Sequence, residues 1–227
     1  MPARDSADRF EAPFAELLEA RARAPGLRKG ERTRLRLLAA TAALLQDEFV
    51  HTLRIGDICH SAGVSPGTFY LYFDDKMEVT VAMLTGFAQH VFDHLDSTAR
   101  TAADLQDSIH ATTLAYVREF AMNRGLFRAL MQMTEASARI ESVYQKLNHR
   151  WNMRTARAIA RRRGCAEGPS EADILRAFAL GGMVDEFLAN VYVRRDPVLV
   201  ERLQSPEEVA RLLAGLWLDA LPEGCRR

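Results

Sequence analysis

Apolar residues recur at helical spacing along almost the whole chain. In "TRLRLLAATAALLQDEF", residues 33–49, Leu37, Leu38, Thr41, Leu44 and Leu45 fall three or four apart and lay one stripe on a helix rich in leucine and alanine. The next stretch, "RIGDICHSAG", predicts a short helix lined by Ile55, Ile58 and Ala62 and closed by a left-handed Gly63. Ser65 then fits an N-cap and Pro66 the first helical position, which predicts a third short helix running to Phe73. "DDKMEVTVAMLTGFAQHVFDHL" opens a fourth helix. Asp74 and Asp75 lie at its positive end, and Val79, Met83, Phe87, Val91 and Leu95 run down one face. Further helices are predicted over 103–122, 124–132, 135–163, 170–194 and 205–220. Gly125, "GCAEGPS", Pro197 and Ser205-Pro206 mark the breaks. No segment reads as a strand and no internal repeat is visible. Near the N-terminus Phe10, Phe14, Leu17 and Leu18 keep i, i+4, i+7, i+8 spacing, which fits either an extra short helix or a tail with incidental amphipathicity.

Composition adds bounds to this all-α picture. The length of 227 residues suits one large domain or a small domain plus a larger one. No apolar run approaches the ~18 residues of a membrane span. The first residues lack the apolar centre of an export signal, so a cytoplasmic protein is expected. Cys59, Cys165 and Cys225 stand far apart with no CxxC pair. That argues against a disulfide framework or a zinc knuckle and fits a reducing compartment.

The net formal charge of zero hides a local excess. Arg21, Arg23, Arg28, Lys29, Arg32, Arg34 and Arg36 crowd one segment against a single acid, Glu31. Such a segment is either a solvated helix face or the electrostatic footprint of a nucleic-acid partner.

Two short helices joined by Gly63-Val64-Ser65 make a helix-turn-helix. Helical spacing turns Phe69 and Phe73 inward. It leaves Ser65, Gly67, Thr68, Tyr70, Leu71 and Tyr72 facing out, a mix of short polar groups and flat rings suited to phosphates, sugars and base edges. Across residues 30–80, and above all in "AGVSPGTFYLYFDDK", the sequence resembles the DNA-binding domain of the TetR/AcrR family of transcriptional regulators. Three positions depart from the family pattern: Phe49 where a glycine usually ends the first helix, Leu53 where a threonine commonly caps the second, and Cys59 in place of an alanine.

The resemblance implies an N-terminal three-helix helix-turn-helix domain and a larger C-terminal helical domain that binds a ligand and dimerises. The expected division is 1–28 as an extension, 29–76 as the DNA-binding domain and 77–227 as the effector and dimerisation domain. Carried over by position, Thr33 and Arg34 would meet phosphates at the N-terminus of the first helix. Ser65, Gly67, Thr68, Tyr70, Leu71 and Tyr72 would face the major groove, and Lys76 would pair with a phosphate. The expected partners are a double-stranded DNA operator, a small apolar effector and a second copy of the chain, with no membrane and no cofactor. The expected function is repression relieved by the effector.

The C-terminal part offers candidates rather than a motif. Phe87, Val91, His94, Val117, Phe120 and Phe127 are candidates to line the effector cavity. So are Met131, Tyr144, Leu147, Trp151, Met183 and Phe187, with Arg118, Glu119, Asn123, Asn148 and His149 as candidate polar anchors, surface positions being the alternative for most of them. Gly181-Gly182 in mid-helix costs about 1 kcal/mol per glycine relative to alanine, which close approach of a partner helix would offset. Phe178, Gly181, Gly182, Asp185, Leu212, Leu213, Leu216 and Trp217 are therefore dimer candidates, the alternative being intrachain core. His90 and His94 have metal-ligand spacing but no identifiable third ligand, so no metal is expected. Arg161, Arg162 and Arg163 suit a helix C-terminus without needing a partner. With no nucleophile–base constellation and no phosphate loop, an enzyme is not expected. An all-helical enzyme or small-molecule carrier is the alternative reading.

Overall fold

Helix ends follow capping chemistry more closely than they follow the apolar stripe. The computed structural model describes residues 12–165 and 167–221; Phe10 and Cys225 lie outside them. The described chain runs α1 (Phe14–Arg23), α2 (Lys29–Leu45), α3 (Ile55–Ala62), α4 (Pro66–Phe69), α5 (Lys76–Thr101) and α6 (Leu105–Met122). It continues through α7 (Arg124–Ala136), α8 (Ala138–Arg162), α9 (Glu171–Leu188), a π-helical turn (Ala189–Arg194), α10 (Pro197–Arg202) and α11 (Pro206–Asp219). There is no strand among the described residues. Among them, too, no helix is long and apolar enough to cross a membrane.

Several boundaries differ from the periodicity. The helix expected from residue 33 starts at Lys29, because the Glu31 carboxylate accepts the Arg28 N–H at 3.0 Å and caps it. The expected Pro66–Phe73 helix keeps four α-helical residues. Beyond Phe69 two i→i+3 bonds tighten the turn, Leu71 N–H to Thr68 O and Tyr72 N–H to Phe69 O, while Phe73 N–H still donates to Phe69 O at i→i+4. This tighter turn buries both Phe69 and Phe73. The α5 helix starts at Lys76 because Asp75 Oδ1 accepts the Glu78 N–H at 2.8 Å. Arg163 is not left to the helix dipole alone: its guanidinium pairs with Asp173, which shares a capping box with Ser170 at the start of α9. Asp196 caps α10 over Pro197, a residue that reads in the sequence as a break. Cys59 is a buried free thiol whose pKa burial pushes up.

The chain divides into two compact units. The first contains the described residues through Gln89 together with Met122–Val143; the second contains His90–Ala121 and the described residues from Tyr144 onward.

In the first unit α1 packs on α2 and α5. The Phe14 ring meets Phe87 at 5.5 Å, and Phe87 meets Phe127 edge-on at 5.0 Å. The Phe14 N–H donates to the buried Asn123 Oδ1 at 2.9 Å, and Arg32 donates to Ala22 O at 3.2 Å. The spacing that left residues 10–18 open between helix and tail thus belongs to a docked helix where it is described.

The end of α2 and the start of α7 exchange caps. Gln46 donates its amide to Met122 O and accepts the Gly125 N–H, both at 3.1 Å. Arg128 in turn donates to Glu48 O at 2.7 Å and to Leu45 O at 3.4 Å, while its guanidinium lies 4.3 Å from the Phe49 ring centroid. Phe49 therefore does more than replace a helix-ending glycine. At Gly125 a Cβ would sit 2.3 Å from Leu45 O and 2.4 Å from the Gln46 backbone, so the two chains meet where no side chain fits.

The second unit is a helical layer around a buried set that includes Val117, Ile159, Leu188 and Leu213. Tyr116 and Phe120 rings meet edge-on at 5.3 Å, and Phe92 and Tyr144 at 6.2 Å.

Candidate nucleic-acid interface and ligand cavity

The α3–α4 turn is built by two local devices. Gly63 adopts φ 62°, ψ 45° and ends α3. Ser65 then caps α4, its Oγ accepting the Thr68 N–H at 3.2 Å and lying 3.0 Å from Thr68 Oγ1. The result is an exposed row of Ser65, Pro66, Gly67, Tyr70 and Leu71, with Thr68 half-buried beside it. Tyr70 and Leu71 are 56% and 80% exposed, too much for core residues of a tightly held turn. Tyr70 is steadied from below by an edge-on contact with Phe69 at 5.5 Å.

Basic groups flank this row. A Cβ on Gly63 would lie 2.7 Å from Arg36 Nη2, so the Arg36 guanidinium stands over the turn. Arg34 stacks over Phe73 at 5.3 Å. Because α2 starts at Lys29, Thr33 lies in the helix rather than at its N-terminus, and its hydroxyl bonds back to Lys29 O at 3.0 Å. Tyr72 is half-buried and turns toward the start of α2, where a Cβ on Gly30 would lie 3.5 Å from its hydroxyl oxygen. Lys76 donates to His51 O at 2.9 Å and Leu53 O at 3.0 Å, tying the loop before α3 to the start of α5. A lysine ammonium has three protons, so one is left for another acceptor.

The second unit contains a cavity of about 870 Å³ of space between atoms, mouth included. Phe92, Leu95, Ile109, Trp151, Val184 and Trp217 give it apolar walls, and Thr112, Thr113, Asn148, Asn152 and Thr155 give it hydrogen-bonding positions. At one side the Tyr116 hydroxyl donates to Asp185 Oδ1 at 2.8 Å and the Tyr144 hydroxyl to Oδ2 at 3.1 Å. Burial pushes the Asp185 carboxyl above its ordinary range, and the two phenols hold it back only in part. Both tyrosines are raised well above the usual phenol range, first by burial and then by the Asp185 charge. Arg154, also on the wall, donates to Asp96 Oδ1 at 3.0 Å.

Behind the wall a polar clamp joins α5 to α6. Glu119 is buried; its Oε1 lies 2.8 Å from His94 Nδ1 and 3.4 Å from His90 Nε2. Both imidazoles address one carboxylate oxygen rather than a shared vacant point. Among the described residues no group of three or more His, Cys, Asp or Glu is arranged to hold a metal ion. Burial pushes the Glu119 carboxyl up, but the hydrogen bonds and charges of the two imidazoles outweigh it and hold the pKa below the usual range.

Residues 37–83 match the N-terminal model of "Bacterial regulatory proteins, tetR family". Residues 109–221 match the model "Transcriptional regulator EthR, C-terminal domain". The chain belongs to the TetR family. Its kin there are transcriptional regulators and not enzymes, which sets aside the enzyme or carrier reading. This TetR-family chain is 22% identical over 187 residues to the HTH-type transcriptional regulator EthR of Mycolicibacterium smegmatis, covering 82% of this chain and 84% of that one. In fold it resembles a regulator from Saccharomonospora viridis solved in complex with choline, with TM-score 0.67, 19% identity, and 84% and 97% of the two chains covered. It also resembles the regulator FadR of Bacillus subtilis solved with stearoyl-CoA, with TM-score 0.64, 13% identity, and 83% and 99% covered.

Placed on this TetR-family scaffold, the sequence candidates separate. Of the residues expected to line a cavity, Tyr144 and Trp151 do so. Phe87 and Phe127 are packed with Phe14 in the first unit, where Met131 also lies. Val91, Val117, Phe120 and Leu147 are buried in packing, and His94 is engaged by Glu119; none of these five is on the cavity wall, nor are Met183 and Phe187. Three residues expected at a dimer surface, Gly181, Asp185 and Trp217, line the cavity instead. The close approach at Gly181 is within the chain: a Cβ there would lie 3.1 Å from Asn152 Oδ1. Leu213 is fully buried, whereas Phe178, Gly182, Leu212 and Leu216 are exposed.

The cavity residues absent from the sequence candidates carry a signal of their own. Ser108, Thr112 and Tyr116 on α6, and Asn152 and Thr155 on α8, are polar groups repeating at helical spacing toward the cavity, the last two in line with the candidates Tyr144 and Asn148.

Proposed function

We propose that the protein is a cytoplasmic homodimeric repressor that holds a pseudo-palindromic operator and leaves it when a small molecule fills the cavity. The observation that carries the DNA half is the outward row of Ser65, Gly67, Thr68, Tyr70 and Leu71 on a capped turn, flanked by Arg34 and Arg36. Short polar groups and a flat ring suit base edges and sugars, while the guanidinium groups neutralise phosphates. Thr33, Tyr72 and Lys76 are read as backbone contacts at the margin of this surface, with Lys76 offering its remaining proton.

Exposed Leu175 and Phe178 on α9, and Leu212 and Leu216 on α11, support pairing with a second copy through a four-helix interface. A two-fold dimer sets two recognition elements about one DNA turn or more apart. Leu216→Asp is expected to convert the dimer to a monomer in size-exclusion chromatography with light scattering. An unchanged mass would remove α11 from the interface.

The structures solved with stearoyl-CoA and choline support reading this cavity as the effector site, and its apolar walls favour an apolar ligand body. The α5 helix begins at Lys76 and supplies Phe92, Leu95 and Ala99 to the cavity wall. An effector that prefers one setting of α5 over another shifts the DNA-bound population by that difference in affinity.

The test is fluorescence anisotropy on the chain's own promoter duplex. Wild-type affinity is expected to fall steeply with salt. Tyr70→Ala should weaken promoter binding roughly 10–100-fold, about 1–3 kcal/mol, and leave random duplex nearly unaffected. Equal wild-type affinity for promoter and random DNA would defeat the proposal.

A further inference from the structure

The cavity wall holds a negative charge with no positive partner. Among the described residues Asp185 forms no salt bridge, and the wall's one basic side chain, Arg154, is already engaged by Asp96. The carboxylate is held in place by the Tyr116 and Tyr144 hydroxyls, one on each oxygen. Each carboxylate oxygen accepts two hydrogen bonds, so a lone pair on each is left after the phenols are counted. A carboxylate beside apolar walls is costly unless a cation or a full set of donors compensates it. The rings of Phe92, Tyr116, Tyr144 and Trp151 line the same space, and aromatic faces attract cations.

From this arrangement we infer that the ligand is an organic cation, a protonated amine or quaternary ammonium group seated on Asp185, with an apolar or aromatic body against Trp151 and Leu95. The inference rests on the cavity being the effector site and narrows the apolar effector expected there to an amphiphilic one. The raised pKa of Asp185 agrees with a charge awaiting compensation. Tyr116 and Tyr144 act as positioning residues for the carboxylate.

The experiment uses the full chain at neutral pH and three probes of matched shape: 4-phenylbutylamine, 4-phenylbutan-1-ol and 5-phenylpentanoate. Both tryptophans of the chain, Trp151 and Trp217, line the cavity, so intrinsic emission reports its occupancy alongside calorimetry. The amine should bind on the order of tenfold or more tighter than the alcohol, with the carboxylate weakest. In Asp185→Asn the amine should fall to the level of the alcohol, whose affinity stays as in wild type and shows that the variant is folded. Equal binding of amine and alcohol to wild type, or an amine preference that survives in Asp185→Asn, overturns the cation assignment and leaves the effector cavity standing. No binding by any of the three overturns both. The wild-type ranking is decisive by itself if the variant does not fold.

Discussion

Gly125→Ala is expected to lower the melting temperature by about 10 °C, corresponding to a loss of roughly 3 kcal/mol. The added methyl would enter within 2.4 Å of the Gln46 backbone and 2.3 Å of Leu45 O, where no side-chain rotation relieves it. Either α7 moves off α2 or the last turn of α2 opens. Both breach the exchanged caps, because Gln46 holds Met122 O and the Gly125 N–H while Arg128 holds Leu45 O and Glu48 O. Polar groups left without partners add to the steric cost. Gly182→Ala is the matched control, since nothing lies within 4 Å of a Cβ there, and removing a mid-helix glycine should leave stability unchanged or raise it slightly. Thermal unfolding followed by circular dichroism reads both variants. A shift of under 2 °C for Gly125→Ala would mean that the contact relaxes freely.

Glu119→Ala should cost on the order of 3 kcal/mol, because it removes a buried carboxylate hydrogen-bonded to His94 at 2.8 Å and lying 3.4 Å from His90. Glu119→Gln keeps a hydrogen-bonding oxygen and should cost less. The pH dependence carries a definite sign. The Glu119 pKa is lower folded than unfolded, since the imidazoles favour the ionised carboxylate. Its contribution is therefore complete above the ordinary glutamate value of 4.5 and is lost as pH falls through the lower folded value. Urea unfolding midpoints measured from pH 7 downward should fall more steeply for wild type than for Glu119→Gln once the pH passes below that range. Parallel curves would remove Glu119 as a source of acid sensitivity.

The geometry of the exposed α3–α4 turn, proposed above to contact DNA, was largely legible in the sequence because its rules are local. Gly63 needs a left-handed turn, Ser65-Pro66 needs a helix start, and alternate burial of Phe69 and Phe73 against exposure of Tyr70 follows from a turn or two of helix. The cavity was not, because periodicity says that a face is buried without saying what buries it. Phe87 and Phe127 have the spacing of cavity residues, and their partner is Phe14, distant in the chain. Asp185 beside Gly181-Gly182 read as an interface charge, since the tyrosines that satisfy it lie on α6 and α8. Lys76 read as a phosphate ligand, and the carbonyls of His51 and Leu53 that engage it are invisible to residue type.

The first unit is assembled from two separate stretches of chain, the second being Met122–Val143. An N-terminal fragment ending near residue 89 would lack Phe127 over Phe87, Asn123 under Phe14 and Arg128 at the end of α2. Recombination between regulators of this build, natural or engineered, therefore has no clean cut within α5. A hybrid that exchanges DNA specificity intact has to transplant α7 with the reader, and a single crossover point cannot deliver it.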